Sequence, residues 1–159
     1  MNGDDIELRP IVEAELDLLF EHQRDEEAHW RIAFTTRDPD DRDVFDEHWR
    51  KFLADETITL VAIVCRGVVV GHLTHFYRAG TPEIGYWLGS QHSGRGIATE
   101  ALRRFLMTLD ERPLFARAAS DHIASLRVLE KCGFTPHARE VAHSARRGTE
   151  VEETIMILH

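Results

Sequence analysis

Two cysteines, Cys65 and Cys132, are all that this 159-residue chain offers toward disulfides or thiolate metal sites. Two cannot build a disulfide framework, and no zinc-type spacing links them. Long apolar runs are missing as well. The longest, Thr59 to Cys65, is far too short to cross a bilayer, so no membrane partner is expected. The acidic N-terminus has no apolar signal core, and the expected location is the cytoplasm. An excess of positive charge is lacking too. The formal net charge is −9, which argues against nucleic acid as the main partner. Repeats, low-complexity tracts and interdomain linkers are absent. One domain over residues 1–159 is therefore expected, large enough to bury a core.

What is present is a composition suited to folding, 43% hydrophobic and 30% charged. The acidity is unevenly spread. Residues 1–60 hold 18 Asp/Glu against 7 Lys/Arg, whereas the remainder holds 10 against 12. Two readings stand: solvated helix surfaces, or a negative field that favours cationic substrates.

The most informative stretch runs from Glu83 to Leu106. Aromatic and β-branched residues from Glu83 to Leu88 suit a half-buried strand. From Ile97 the pattern becomes helical, with Ile97, Ala101, Leu102, Phe105, Leu106 and Leu109 on one face and Glu100, Arg103 and Arg104 on the other. Ser93-Gly94-Arg95-Gly96 joins the two. Glycines there let backbone N–H groups converge where the helix's first-turn donors and positive dipole end also point. That combination is a seat for phosphate.

Upstream, Ile6 to Arg9 reads as a short strand ended by Pro10, followed by a helix faced by Val12, Leu16, Leu19, Phe20 and Gln23. Asp25 to Phe34 reads as a second short helix or an irregular link. A further helix is expected with Asp38 as N-cap and Pro39 at its first position, running through Phe45, His48, Trp49, Phe52 and Leu53 at helical spacing. The acids around Asp38 lack the glycine and distal glutamate of a calcium loop. Thr57 to Cys65 and Val68 to Tyr77 form a hairpin about Arg66-Gly67, and residues 78–82 a loop. Pro113 to Ala119 is a strand, and Ser120 to Lys131 a helix with Gly133 at its C-terminal cap. An extended stretch from Phe134, a polar loop-bearing hairpin over His137 to Gly148, and a strand over Glu150 to Leu158 close the chain. The fold class is α+β, with a mixed, mostly antiparallel sheet flanked by helices. His72 and His75, three apart on a strand, point to opposite faces and cannot chelate together, so no metal is expected.

With these elements in place, the chain resembles the GCN5-related N-acetyltransferase superfamily, and within it the ribosomal-protein N-terminal acetyltransferase branch of RimJ/RimL type. The likeness runs through IELRP, EIGYWLG, SGRGIATEAL and ASLRVLEKCGF, nearly the whole length. The family loop, Gln/Arg-x-x-Gly-x-Gly/Ala, aligns with Ser93 to Ala98 and implies acetyl-CoA as co-substrate. Ser93 departs from the usual Gln or Arg; Gly94, Gly96, Ile97 and Ala98 supply main-chain groups, and Arg95 adds charge. The resemblance implies that the preceding strand splays from its neighbour at a bulge, so that the backbone near Tyr86 and Leu88 pairs with the pantetheine arm. A second family signature, Asn-x-x-Ser/Ala before a helix ending in Gly-Phe, aligns with His122, Ser125 and Gly133-Phe134. His122 replaces the asparagine, and Leu129 stands where many members carry a tyrosine acid.

The resemblance implies transfer of acetyl to a primary amine by direct attack. Glu83 is read as the base and as an acceptor contact, or else as a carboxylate pairing with Arg78. Ser125 is read as the partner of the leaving sulfur, or as a cap or packing residue. Trp30 falls in the segment that covers the acceptor in similar enzymes. A protein or peptide N-terminus, a small amine such as a drug or polyamine, and a non-catalytic acyl-CoA-binding regulatory module remain open, as do monomer and homodimer. No Gly-Lys-Ser/Thr follows the loop, so Walker nucleotide chemistry is not expected.

Overall fold

The structure is a computed structural model that describes residues 5–24, 40–144 and 147–159. Seven strands form one sheet in the order β1-β2-β3-β4-β5-β7-β6: β1 (Ile6–Pro10), β2 (Thr59–Cys65), β3 (Val68–Arg78), β4 (Thr81–Leu88), β5 (Leu114–Ala119), β6 (Thr135–Ser144) and β7 (Thr149–Leu158). All neighbours are antiparallel except β4 and β5. Four helices are described: α1 (Leu16–Gln23), α2 (Arg42–Ala54), α3 (Ile97–Met107) and α4 (Ile123–Lys131). The α+β class with a mixed, mostly antiparallel sheet is thus as expected.

Strand alternation divides the core in two. Ile63, Leu73, Ile84 and Met156 point to one face, where Ile97, Leu102 and Phe105 of α3 and Leu129 of α4 cover them. Ala62, Val64 and Val69 point to the other, under Leu19 and Phe20 of α1 and Phe45 and Trp49 of α2. Each such large apolar side chain contributes about 1.5–3 kcal/mol by leaving water. On the second face, Phe20 and Phe45 meet edge to face at 5.1 Å, a preferred aromatic geometry.

Local chemistry sets the turns. Arg66 and Gly67 both take positive φ, as a two-residue hairpin loop requires. Ala79 and Gly80 do the same between β3 and β4, so the expected loop over 78–82 is a tight turn and Pro82 already pairs with Tyr77. At the end of α4, the Phe134 N–H donates to the Leu129 carbonyl and the Gly133 N–H to that of Glu130, with Gly133 left-handed. This closes the helix as its glycine suggested.

Three expectations change. The cap of α2 is Asp41, whose carboxylate accepts from the Val44 N–H at 3.1 Å, while Asp38 and Pro39 lie outside the described residues, as does the Asp25 to Phe34 segment. Val12 is exposed and precedes the helix it was expected to face. The polar run from His137 is ordered strand as far as Ser144: β6 is the sheet edge, exposed almost throughout, and so shows no alternation of burial.

Candidate active site

β4 and β5 pair at only two positions, Glu83 with Phe115 and Ile84 with Ala116. Beyond them β4 stays on β3 as far as Leu88, while β5 stays on β7. The strands therefore part, and the Gly85–Leu88 backbone faces a gap in place of a ladder. The expected bulge is not the cause, because the β3–β4 register is unbroken from Gly71–Leu88 to Arg78–Thr81. A cleft of about 580 Å³ opens through the gap. Its α3–α4 side is lined by Gly94, Gly96, Ala98, Tyr86, His122 and Ser125, and its other side by His72, Thr74, Trp87, Arg117 and Glu153.

The β4–α3 turn is built for an anion. Gly94 and Gly96 both have φ of 78°, and a Cβ at either would meet nothing within 4 Å. Glycine is needed there for conformation, not for space. The first intrahelical bond of α3 runs from the Glu100 N–H to the Gly96 carbonyl, so the amides of Ile97, Ala98 and Thr99 precede the ladder at the positive end of the dipole. These groups suit a pyrophosphate, and the open edge of β4 suits an amide-bearing arm. Not every loop residue turns that way. Ser93 spends both its N–H and its hydroxyl on the Ser90 carbonyl, at 3.2 and 2.7 Å, bracing the turn. The Arg95 side chain lines a neighbouring hollow with Cys65 and Arg66.

On the α4 side the Tyr86 hydroxyl donates to Ser125 Oγ at 3.1 Å. Burial pushes the phenol pKa up, with the Ser125 bond acting against it. Leu129 is core. The sequence reading used Tyr86 only for its backbone. Its side chain could have been placed, since alternation puts Tyr86 and Leu88 on the face of Ile84, toward α4.

On the opposite face, Glu83 is only 2% exposed and does not line the cleft. Its Oε2 accepts from Arg78 Nε at 2.8 Å and Arg117 Nε at 3.3 Å, so the pairing with Arg78 is present. Arg117 reaches further, from Nη1 to Glu140 at 2.9 Å and to Glu153 at 3.3 Å. Burial pushes the Glu153 carboxyl up, and Arg117 draws it back. Arg117, Glu140 and Glu153 were missed by sequence reading: they come from three different strands and belong to no local motif.

His72 packs edge-on against Trp49 at 5.2 Å with its Nδ1 buried and without a hydrogen bond among the described residues. Burial pushes its pKa down to about 3, with His22 adding to the effect. His75, on the other face, meets Glu111 at 3.0 Å. The two histidines diverge as predicted, and no cluster of three metal-ligating side chains occurs among the described residues. Trp30 lies outside the described residues. Acids of the first third pair at the surface, Asp17 and Asp46 with Arg42, and Glu47 with Lys51. No described helix is long and apolar enough to cross a membrane.

A family model described as an acetyltransferase (GNAT) domain matches residues 5–135. Among solved structures, the chain is similar to a spermidine N-acetyltransferase from Vibrio cholerae in complex with CoA and spermine (TM-score 0.82, 16% identity, 98% of this chain and 95% of that one). It is also similar to the microcin C7 self-immunity acetyltransferase MccE in complex with acetyl-CoA and AMP (TM-score 0.80, 18% identity, 97% and 92% covered). A third is RimL, a ribosomal L7/L12 alpha-N-protein acetyltransferase in complex with CoA (TM-score 0.78, 18% identity, 97% and 94% covered). No curated protein matches the sequence. The chain therefore belongs to the GNAT acetyltransferase family and is an acetyl-CoA-dependent acetyltransferase.

Proposed function

We propose that the protein acetylates a small primary amine. The parting of β4 and β5 after Ile84 supports acetyl transfer itself, since it lets a thioester held on the α3–α4 side be reached from the α1–α2 side, and the choice of a small acceptor rests on the similar structures. One of the similar structures, the spermidine N-acetyltransferase in complex with CoA and spermine, is named for a small-molecule amine. It supports a small acceptor for this chain. The similarity to RimL supports a second reading, a protein N-terminus, in line with the branch resemblance of the sequence.

Either acceptor must lose a proton, because an ammonium has no lone pair. The cost is greater for an alkylamine, with a pKa near ~10.4, than for an α-amino group near ~8. The neutral nitrogen attacks the acetyl carbon directly. Backbone N–H groups at the open edge of β4 polarise the carbonyl and hold the oxyanion. Ser125 hydrogen-bonds the departing sulfur and is itself backed by the Tyr86 hydroxyl. The amides of Gly94, Gly96, Ile97 and Ala98 hold the pyrophosphate, with His122 beside the arm.

The test is thiol release from acetyl-CoA with a panel of polyamines, amino-acid-like amines and peptides. Release with small amines is expected. Release with peptide N-termini alone overturns the choice of acceptor.

A further inference from the structure

Resting on that acetyl-transfer reading, we propose that Glu153 of β7 accepts the proton that the acceptor ammonium must lose, while Arg117 positions its carboxylate at the mouth of the gap.

The argument begins with the groups that line the acceptor side of the cleft. His72 is a poor proton acceptor, since burial has pushed its pKa down to about 3. Glu83 is committed to an ion pair: both guanidiniums that hold it converge on one oxygen, Oε2, and only 2% of the residue is exposed. Glu153 does line the cleft, with its side chain 15% exposed. Arg117 Nη1 donates to its Oε1 at 3.3 Å, a weak tether that keeps the carboxylate beside the guanidinium. Position agrees. Arg117 immediately follows Ala116, the last β5 residue paired with β4, and Glu153 stands opposite Ala119 on the same sheet face.

The charged groups facing Glu153 are Arg117 of β5, Glu83 of β4, Arg78 of β3 and Glu140, its direct partner on β6. Burial and Glu83 raise its proton affinity, whereas Arg117 and Arg78 lower it, and the net direction is up. A raised carboxylate is a better match to an amine than an ordinary one. Glu83 then acts as a positioning residue, holding Arg117 from beneath.

The step balances without a further reagent. One ammonium proton passes to Glu153, the freed lone pair forms the C–N bond as the carbonyl π electrons move to the oxyanion, and collapse of that oxyanion breaks the C–S bond. The second nitrogen proton, lost as the amide forms, matches the thiolate that leaves. Glu153 returns its own proton to water.

Glu153→Gln keeps the shape and an oxygen for Arg117. We expect kcat/KM at pH 7 to fall by about 10²-fold or more, within the range for loss of a positioned base. The residual rate should rise about tenfold per pH unit toward the amine's own pKa near ~10.4. Acetyl-CoA affinity by calorimetry and the melting temperature should stay at wild-type values. In Glu153→Ala, added formate should restore rate. Wild-type rate and pH profile in Glu153→Gln, or no rescue of Glu153→Ala by formate, overturns the assignment. A wild-type enzyme that releases no thiol with any amine overturns the acetyl-transfer reading itself.

Discussion

Gly71 offers the sharpest test of how the cleft is built. It pairs with Leu88 near the end of β4 and has no positive φ, so its backbone would accept alanine. By conformation alone, Gly71→Ala should stabilise the protein by about 0.4–1 kcal/mol through the unfolded chain. The packing reverses the sign. A Cβ at Gly71 would lie 2.0 Å from the Trp87 carbonyl oxygen and 3.1 Å from the Leu88 Cα, both backbone atoms that no side-chain rotation can clear. Reaching the shortest separation that Cβ atoms tolerate, 3.0 Å, requires β3 and β4 to part by about 1 Å. The Gly89 N–H to Val70 carbonyl bond, 3.0 Å long, sits at the same place and would stretch with them. Overpacking of about 1–3 kcal/mol and roughly one lost hydrogen bond of ~1 kcal/mol, less the unfolded-chain gain, give a net loss of about 1–3.5 kcal/mol. In a chain of this size that lowers the melting temperature by roughly 2–14 °C. Because the displaced backbone is the edge proposed to hold the pantetheine arm, acetyl-CoA should also bind more weakly. Leu19→Ala, in the core beneath α1, is the control: it should lower the melting temperature and leave that affinity unchanged. Scanning calorimetry and isothermal titration of both variants decide it. A Gly71→Ala protein that melts at or above the wild-type temperature with unaltered affinity refutes the reasoning.

Other consequences are more local. Tyr86→Phe removes the hydroxyl behind Ser125, and kcat should fall about 10- to 100-fold, less than for a direct general acid because the hydroxyl acts through Ser125, with acetyl-CoA affinity intact; steady-state kinetics and calorimetry read the two separately. At Gly96, where φ is 78° and nothing crowds a Cβ, alanine should cost about 1–2 kcal/mol from left-handed strain alone, with asparagine milder, as urea titration would measure. Glu15 accepts from Arg9 at 2.8 and 2.7 Å and from the Val12 N–H at 2.9 Å, and these contacts, Arg9 chiefly, hold its pKa below the usual range. Its contribution is therefore present above the unfolded carboxylate pKa near ~4.3 and lost as pH falls through the lower folded value. Glu15→Gln should unfold at lower urea than wild type at pH 7, and the difference should close as the solution is acidified.

Features encoded by neighbours in sequence were legible, and features assembled across the sheet were not. The turn at Gly94 and Gly96, the Arg66-Gly67 hairpin and the glycine stop after α4 each depend on a few consecutive residues whose backbone preferences are strong. The parted strands were anticipated through family resemblance, and the structure replaces the expected bulge with an early end to pairing at Ile84. The edge strand β6 escaped because exposure on both faces leaves no period to read. At Asp38, several acids in a row offered several caps, and spacing alone could not choose Asp41 among them. Arg117 and Glu153 carried no signal at all. Their meaning arises only when β5 and β7 pair, which brings residues 36 apart into one ion cluster.

The same division explains why the two halves of the site read so differently. On the α3–α4 side, recognition is assigned to main-chain amides and an open strand edge, groups that every residue type presents. Ser93 can then stand where Gln or Arg is usual, since its side chain and N–H serve the turn and leave the following amides free for the proposed phosphate site. On the far side, the cluster is made of side chains whose charges constrain one another. A carboxylate as buried as Glu83 is stable only with its two guanidiniums in place, because an unpaired charge there would cost several kcal/mol. That requirement fixes Arg117, and Arg117 in turn tethers Glu153. A change of acceptor can therefore come from the residues that line the acceptor side without disturbing the phosphate turn, whereas a change at Glu83 propagates through Arg117 to the proposed proton acceptor. Glu83→Gln is accordingly expected to lower kcat through loss of alignment, as steady-state kinetics would measure, although Glu83 is almost wholly buried.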